Sequence, residues 1–203
     1  MSNFVSPGEG LDPRVRRTRA SIQQAFLELL AEKGFQAITV KDITQRAEIN
    51  RATFYAHFPD KYALLEATIA QTFQQELKKR TLSACRFSEA NLRALILTVC
   101  EYLAESNTHC KVSDSQFEVL VERQVRRQVQ ELLERWLSEV GLDMAAKTAA
   151  IAASWTIYGF ALQWSEGKDR ELLDAYVDRV LPLILSNLRL KPEERPSVMP
   201  AGR

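Results

Sequence analysis

The stretch TVKDITQRAEINRATFYAHFPDKYALL, residues 39–65, decides the fold. It places three helix starts in close succession. Thr39 is a good N-cap for a helix over Val40–Ala47, and Asp42 at its third position suits the positive end of that helix. Asn50 caps a second helix over Arg51–Phe58. Pro59-Asp60 ends that one, and Asp60 caps a longer helix running to about Arg80. Ile43, Ala47, Ile49, Phe54 and Phe58 are the apolar members. Two helices of about eight residues joined by a turn of roughly three make a helix-turn-helix.

A helix of that length fits the major groove of DNA and offers its first side chains to base edges. Phe54 and Phe58 lie four apart, on one face, and act as buried anchors. The opposite face carries Asn50, Arg51, Ala52 and Tyr55. Arg51 has the donors for a bidentate pair with guanine, Ala52 suits a thymine methyl, and the Thr53 hydroxyl serves base or phosphate. Plainer readings stand beside these. Arg51 could touch phosphate alone, Tyr55 could pack against the preceding helix, and His57 could be an idle surface histidine.

With its Thr-Val opening, Asp-Ile, Ala before the turn, Thr-Phe-Tyr, His-Phe and Asp-Lys before Leu-Leu, the segment closely resembles the helix-turn-helix of TetR-family regulators. The resemblance implies an all-α fold: an N-terminal three-helix DNA-binding domain, then a C-terminal helical ligand-binding and dimerisation domain. It implies that Tyr55, His57 and Lys61 hold the phosphate backbone, a role their hydrogen-bond donors fit. Lys41 and Arg17 are further phosphate candidates, the latter within the cluster Arg14, Arg16, Arg17 and Arg19. Glu48 departs from the resemblance, because many members have Gly there. A residue with a Cβ must adopt a positive φ at that point or alter the turn.

Upstream, Asp12 and Pro13 open a first helix with an apolar stripe of Ile22, Phe26, Leu29 and Leu30, and Gly34 stops it. Downstream, only helical periodicity is found. Helices are expected over about Ser88–Glu105, Ser115–Glu139, Asp143–Ser165 and Lys168–Leu190, with Gly141 as a break and Pro182 as a kink. The expected division is a tail at 1–11, a DNA-binding domain at 12–60, a helical domain at 61–190 whose residues 61–80 form the connecting helix, and a tail at 191–203.

Residues 151–164 are apolar on two sides, which asks for burial on two sides. The resemblance implies that the last two helices pair with their copies, with Ile157, Phe160, Trp164, Val177, Val180, Leu181 and Ile184 at the interface. A purely internal core is the alternative. It also implies a small ligand of unknown identity among the middle helices, with Phe73, Leu95, Val99, Tyr102, Phe117 and Trp155 as candidates by position. Each could equally be ordinary core.

Composition sets the remaining bounds. The chain has 203 residues, 46% hydrophobic and 26% charged, enough to bury a real core. Its net charge is +1, so charge alone does not announce a nucleic-acid partner, although residues 1–61 hold nine Lys/Arg against seven Asp/Glu. Three cysteines, Cys85, Cys100 and Cys110, and two histidines show no metal-ligand spacing. Reduced thiols in a cytoplasmic protein are expected, with no metal, no cofactor and no membrane span. No nucleophile motif or phosphate loop suggests an enzyme. The expected function is a sequence-specific DNA-binding regulator, its expected partners a palindromic double-stranded operator, a second copy of the chain and a small ligand that releases a repressor. A helical interaction module that has lost DNA binding is the rival.

Overall fold

The computed structural model describes residues 12–80, 82, 86–109, 115–139, 143–167 and 170–188. The two tails, Cys85, Cys110 and Gly141 lie outside these. The described residues form eight α-helices and no strand: α1 (Pro13–Lys33), α2 (Val40–Arg46), α3 (Arg51–His57), α4 (Lys61–Lys79), α5 (Glu89–His109), α6 (Ser115–Ser138), α7 (Asp143–Glu166) and α8 (Leu173–Leu188).

Local chemistry sets the early boundaries. The Asp12 side chain accepts from the Arg14 backbone N–H at 2.7 Å, and Gly34 closes α1 at φ 72. Thr39 and Asp42 form a reciprocal capping box: the Thr39 N–H donates to Asp42 Oδ2 at 2.8 Å and the Asp42 N–H to Thr39 Oγ1 at 3.2 Å. Asp60 accepts from the backbone N–H groups of Tyr62 and Ala63, each at 2.8 Å.

α1, α2 and α3 pack around Ile22, Phe26, Phe35, Ile38, Ile43, Phe54 and Phe58, all buried. The α5–α8 helices form the larger bundle, with α7 against α5, α6 and α8, and α4 leaning on α5 and α6. The inward face of α7 is made largely of small residues, Ala146, Ala149, Ala150, Ala153 and Ala161. Side chains that short let neighbouring helices approach closely. The larger side chains that fill the bundle come from the partners, including Trp136, Val125, Leu133, Leu95 and Val99.

The last helix starts at Leu173, later than the Lys168 expected from periodicity. The connection before it is tied back onto α7: Trp164 Nε1 donates to the Glu171 carbonyl at 3.2 Å, and Arg170 donates to the carbonyls of Gly167 and Ser165. Pro182 lies inside α8 on its exposed side.

Burial within the chain corrects the interface residues expected from sequence. Ile157, Val177 and Ile184 are fully buried in the chain's own core, and Val180 and Leu181 are nearly so. Phe160 and Trp164 are partly buried. The side of α7 that faces solvent is instead Ile151, Ala152, Trp155 and Gly159. A Cβ built on Gly159 would meet nothing within 4 Å.

Candidate nucleic-acid interface

The α2–α3 turn is closed by backbone bonds. The Glu48 N–H donates to the Gln45 carbonyl at 3.3 Å, and the Ile49 N–H reaches the Thr44 carbonyl at 3.0 Å. That is a Schellman closure, which needs a left-handed residue, and Glu48 supplies it at φ 53. The turn keeps its ordinary geometry without glycine, with backbone strain at Glu48.

Beyond the turn, the Asn50 side-chain Oδ1 accepts from the Thr53 N–H at 2.7 Å and from the Thr53 hydroxyl at 3.0 Å. Phe54 is buried and Phe58 nearly so, their ring centroids 6.1 Å apart. Phe58 takes extended dihedrals because Pro59 follows it, and α3 ends there. Arg19 fastens this end to α1: its Nη1 donates to the His57 carbonyl at 3.1 Å, and its guanidinium lies 4.3 Å from the centre of the Phe58 ring. With the apolar side anchored, Arg51, Ala52 and Tyr55 stand exposed together on the other. Tyr55 is 54% exposed, its ring edge-on to Phe54. Lys41 and Arg17 are also exposed. Partial burial, and then the charge of Arg19, lower the pKa of His57 below its ordinary 6.5, so near pH 7 the ring is a neutral donor.

Lys61 departs from its expected position. Its ammonium turns inward, donating to the carbonyls of Phe35 at 3.2 Å, Gln36 at 3.3 Å and Ile38 at 3.0 Å, and lies 4.6 Å from the Phe35 ring centre. Those bonds occupy its donors and hold the α1–α2 loop on the start of α4. Arg46 binds Glu32 through both terminal nitrogens at 2.9 Å each, and Lys33 pairs with Asp42 at 2.9 Å. Gln116, at the start of α6, accepts from Gln36 Nε2 at 3.3 Å and from the Tyr62 hydroxyl at 3.2 Å. Neither the Lys61 arrangement nor the Gln116 bridge carries a sequence signal, because both join segments far apart in the chain.

A cavity of about 180 Å³ opens between α1, α4, α5 and α6. Tyr102 and Phe117 line it, and Phe73 lies behind Tyr102 with ring centroids 5.0 Å apart. Leu95 and Val99 are solid core away from its lining. Trp155 is half exposed on the outer face, with the Arg126 guanidinium 3.7 Å from its ring centre, and plays no part in the cavity. Sequence reasoning missed Leu27, Leu30, Thr68 and Thr72 of the lining. Leu27 had a readable signal: it is apolar and sits beside the α1 stripe rather than on it.

A short capped helix, a tight left-handed turn and a second short helix with a polar outer face define a helix-turn-helix protein. Residues 22–68 match the family described as bacterial regulatory proteins, tetR family. The chain is 41% identical over 75 residues to the uncharacterized HTH-type transcriptional regulator YxbF of Bacillus subtilis (strain 168), a match covering 36% of this chain and 20% of the relative. The chain thus spans about a fifth of that relative's length. Over 158 residues it is 27% identical to an HTH-type regulator in the dhlA 5′ region of Xanthobacter autotrophicus, 76% of each chain being covered. Among solved structures it resembles the Thermus thermophilus FadR, a transcriptional repressor in complex with lauroyl-CoA. The TM-score is 0.58 at 23% identity, over 91% of this chain and 100% of that one. That likeness is one of fold.

Proposed function

We propose that the chain is a sequence-specific DNA-binding transcription regulator, a repressor that works as a homodimer on a palindromic operator and is released by a small ligand. The observation that carries this reading is α3. It is a two-turn helix, about 10 Å long, capped by Asn50, anchored through Phe54 and Phe58, and presenting Arg51, Ala52 and Tyr55 to solvent. Arg51 reads a base, and Tyr55, His57, Lys41 and Arg17 hold phosphates. Residues 12–60 form the reading head and 61–190 the sensing and pairing body. The exposed α7 face of Ile151, Ala152, Trp155 and Gly159, with Leu183 of α8 at 55% exposure, is the surface for a second copy. No helix among the described residues is long and apolar enough to cross a membrane, and the reading places the protein in the cytoplasm.

The test is DNA binding by fluorescence anisotropy, comparing DNA flanking the chain's own gene with shuffled DNA over a range of salt. Preferential, strongly salt-dependent binding to a near-palindromic site is expected. Equal binding to both at physiological salt would sink the reading and favour an interaction module without DNA recognition.

A further inference from the structure

The cavity of about 180 Å³ lies at the joint between the reading head and the body. Its apolar walls are Leu27 and Leu30 of α1, Leu65 and Ile69 of α4, and Phe117 and Val121 of α6. Leu27 is 36% exposed and the other five are buried. A hollow walled in this way offers little to water and favours apolar occupants. Size bounds the occupant. An apolar cavity of about 150 Å³ takes a benzene ring, so this one takes a single ring with a short alkyl branch.

The polar part of the lining comes from α4 and α5. The Thr72 hydroxyl lies 3.0 Å from the Thr68 carbonyl and 2.8 Å from the Tyr102 hydroxyl. The carbonyl can only accept, so Thr72 donates to it and takes the Tyr102 proton. The Tyr102 oxygen keeps its own acceptor capacity. Burial pushes its pKa up to about 12, although its partners Thr72 and Ser106 pull the other way, so it is a neutral hydroxyl at pH 7. Charge narrows the class further. The described lining holds no Lys, Arg or His, and its carboxylate, Glu105, is exposed and already acts on Lys79. An anion here would lose its water with no cation to receive it, and a cation would exchange water for apolar walls.

Resting on the ligand-released reading above, we infer that this joint cavity takes a compact uncharged molecule of about one ring's bulk, with a hydroxyl bonded to the Tyr102 oxygen. The occupant touches the reading head directly through Leu27 and Leu30. It also rests on Phe117, whose neighbour Gln116 accepts from Gln36 of the α1–α2 loop and from Tyr62 at the start of α4. The ligand therefore acts at the joint and not in the depth of the α5–α8 bundle, where Leu95 and Val99 are solid core.

The experiment is isothermal titration calorimetry of the full chain with probes built on isopropylbenzene: the hydrocarbon itself, 4-isopropylphenol, 4-isopropylbenzoate and 4-isopropylbenzylammonium. The phenol is expected to bind tightest, with each ion at least roughly tenfold weaker. Tyr102→Phe should weaken the phenol several-fold and leave the hydrocarbon unchanged, because only the hydroxyl contact is lost. Ser106→Leu fills part of the cavity and should abolish binding of both, its fold being checked by a thermal melt; Tyr102→Phe carries the test if that chain does not fold. Tighter binding of either ion, binding of no probe, a phenol indifferent to Tyr102→Phe, or a phenol that still binds folded Ser106→Leu would overturn the assignment. The expected calorimetric pattern, with operator DNA staying bound at saturating phenol, supports the site and sinks the ligand-release reading instead.

Discussion

Glu48 holds a left-handed conformation, at φ 53, that ordinary residues adopt at a cost of roughly 1–2 kcal/mol. Glycine would remove that strain and lose part of the gain to unfolded-state entropy, about 0.4–1 kcal/mol. Glu48→Gly should therefore raise stability by about 0.5–1 kcal/mol, seen as a higher thermal midpoint; an unchanged or lower midpoint would sink this account of the turn. Removing the carboxylate beside α3 should also tighten DNA binding. On the reading face, Arg51→Ala should cost on the order of 1–3 kcal/mol and relax preference at one base position. Lys41→Ala should weaken all sequences alike and reduce the salt slope by about one unit. Identical specificity profiles for the two variants would show that their roles are not distinct. Lys61 behaves differently from both. Its ammonium is held by three carbonyls, so Lys61→Met should lower stability by about 1–2 kcal/mol and leave the salt slope of DNA binding unchanged. A slope reduced by one unit would return Lys61 to the phosphates.

Elements were legible where the cause is local. Asp12, Thr39, Asn50 and Asp60 each bond a backbone N–H two or three residues ahead, so the starts of α1 to α4 can be read from the chain. The anchors Phe54 and Phe58 follow from spacing alone. The faces of α7 could not be read in this way. A helix with Ile157, Phe160 and Trp164 on one side and Ile151, Trp155 and Leu162 on another has no sequence mark for which side its own chain covers. The structure buries Ile157 and leaves Trp155 half exposed, because the small residues on the Ala150–Ala153–Ala161 side admit α5 and α6. The cavity was harder still, since its walls come from four helices: Tyr102 and Phe117 were legible as candidates by position, whereas Ser106 and Val121 are unremarkable in the sequence.

For the whole molecule, the corrected α7–α8 surface separates two substitutions on neighbouring residues. Ile184 is fully buried within its own chain, so Ile184→Glu strands a carboxylate in the core and should unfold the protein at a loss of several kcal/mol. Leu183 is 55% exposed, so Leu183→Glu should leave the fold intact and weaken only self-association. Sedimentation velocity and thermal melts of both variants check this; a folded Ile184→Glu monomer would mean that the core and the pairing surface have been exchanged.

The position of Trp155 has an optical consequence. The chain's three indoles occupy three environments: Trp136 is sealed in the core, Trp164 is partly buried with its N–H on a carbonyl, and Trp155 is half exposed under Arg126. Emission from a dissociated chain should therefore contain a long-wavelength component that iodide quenches, and Trp155→Phe should remove it. As protein concentration rises through the association range, that component should shift to shorter wavelength and lose its quenching. The protein would then report its own pairing without a label.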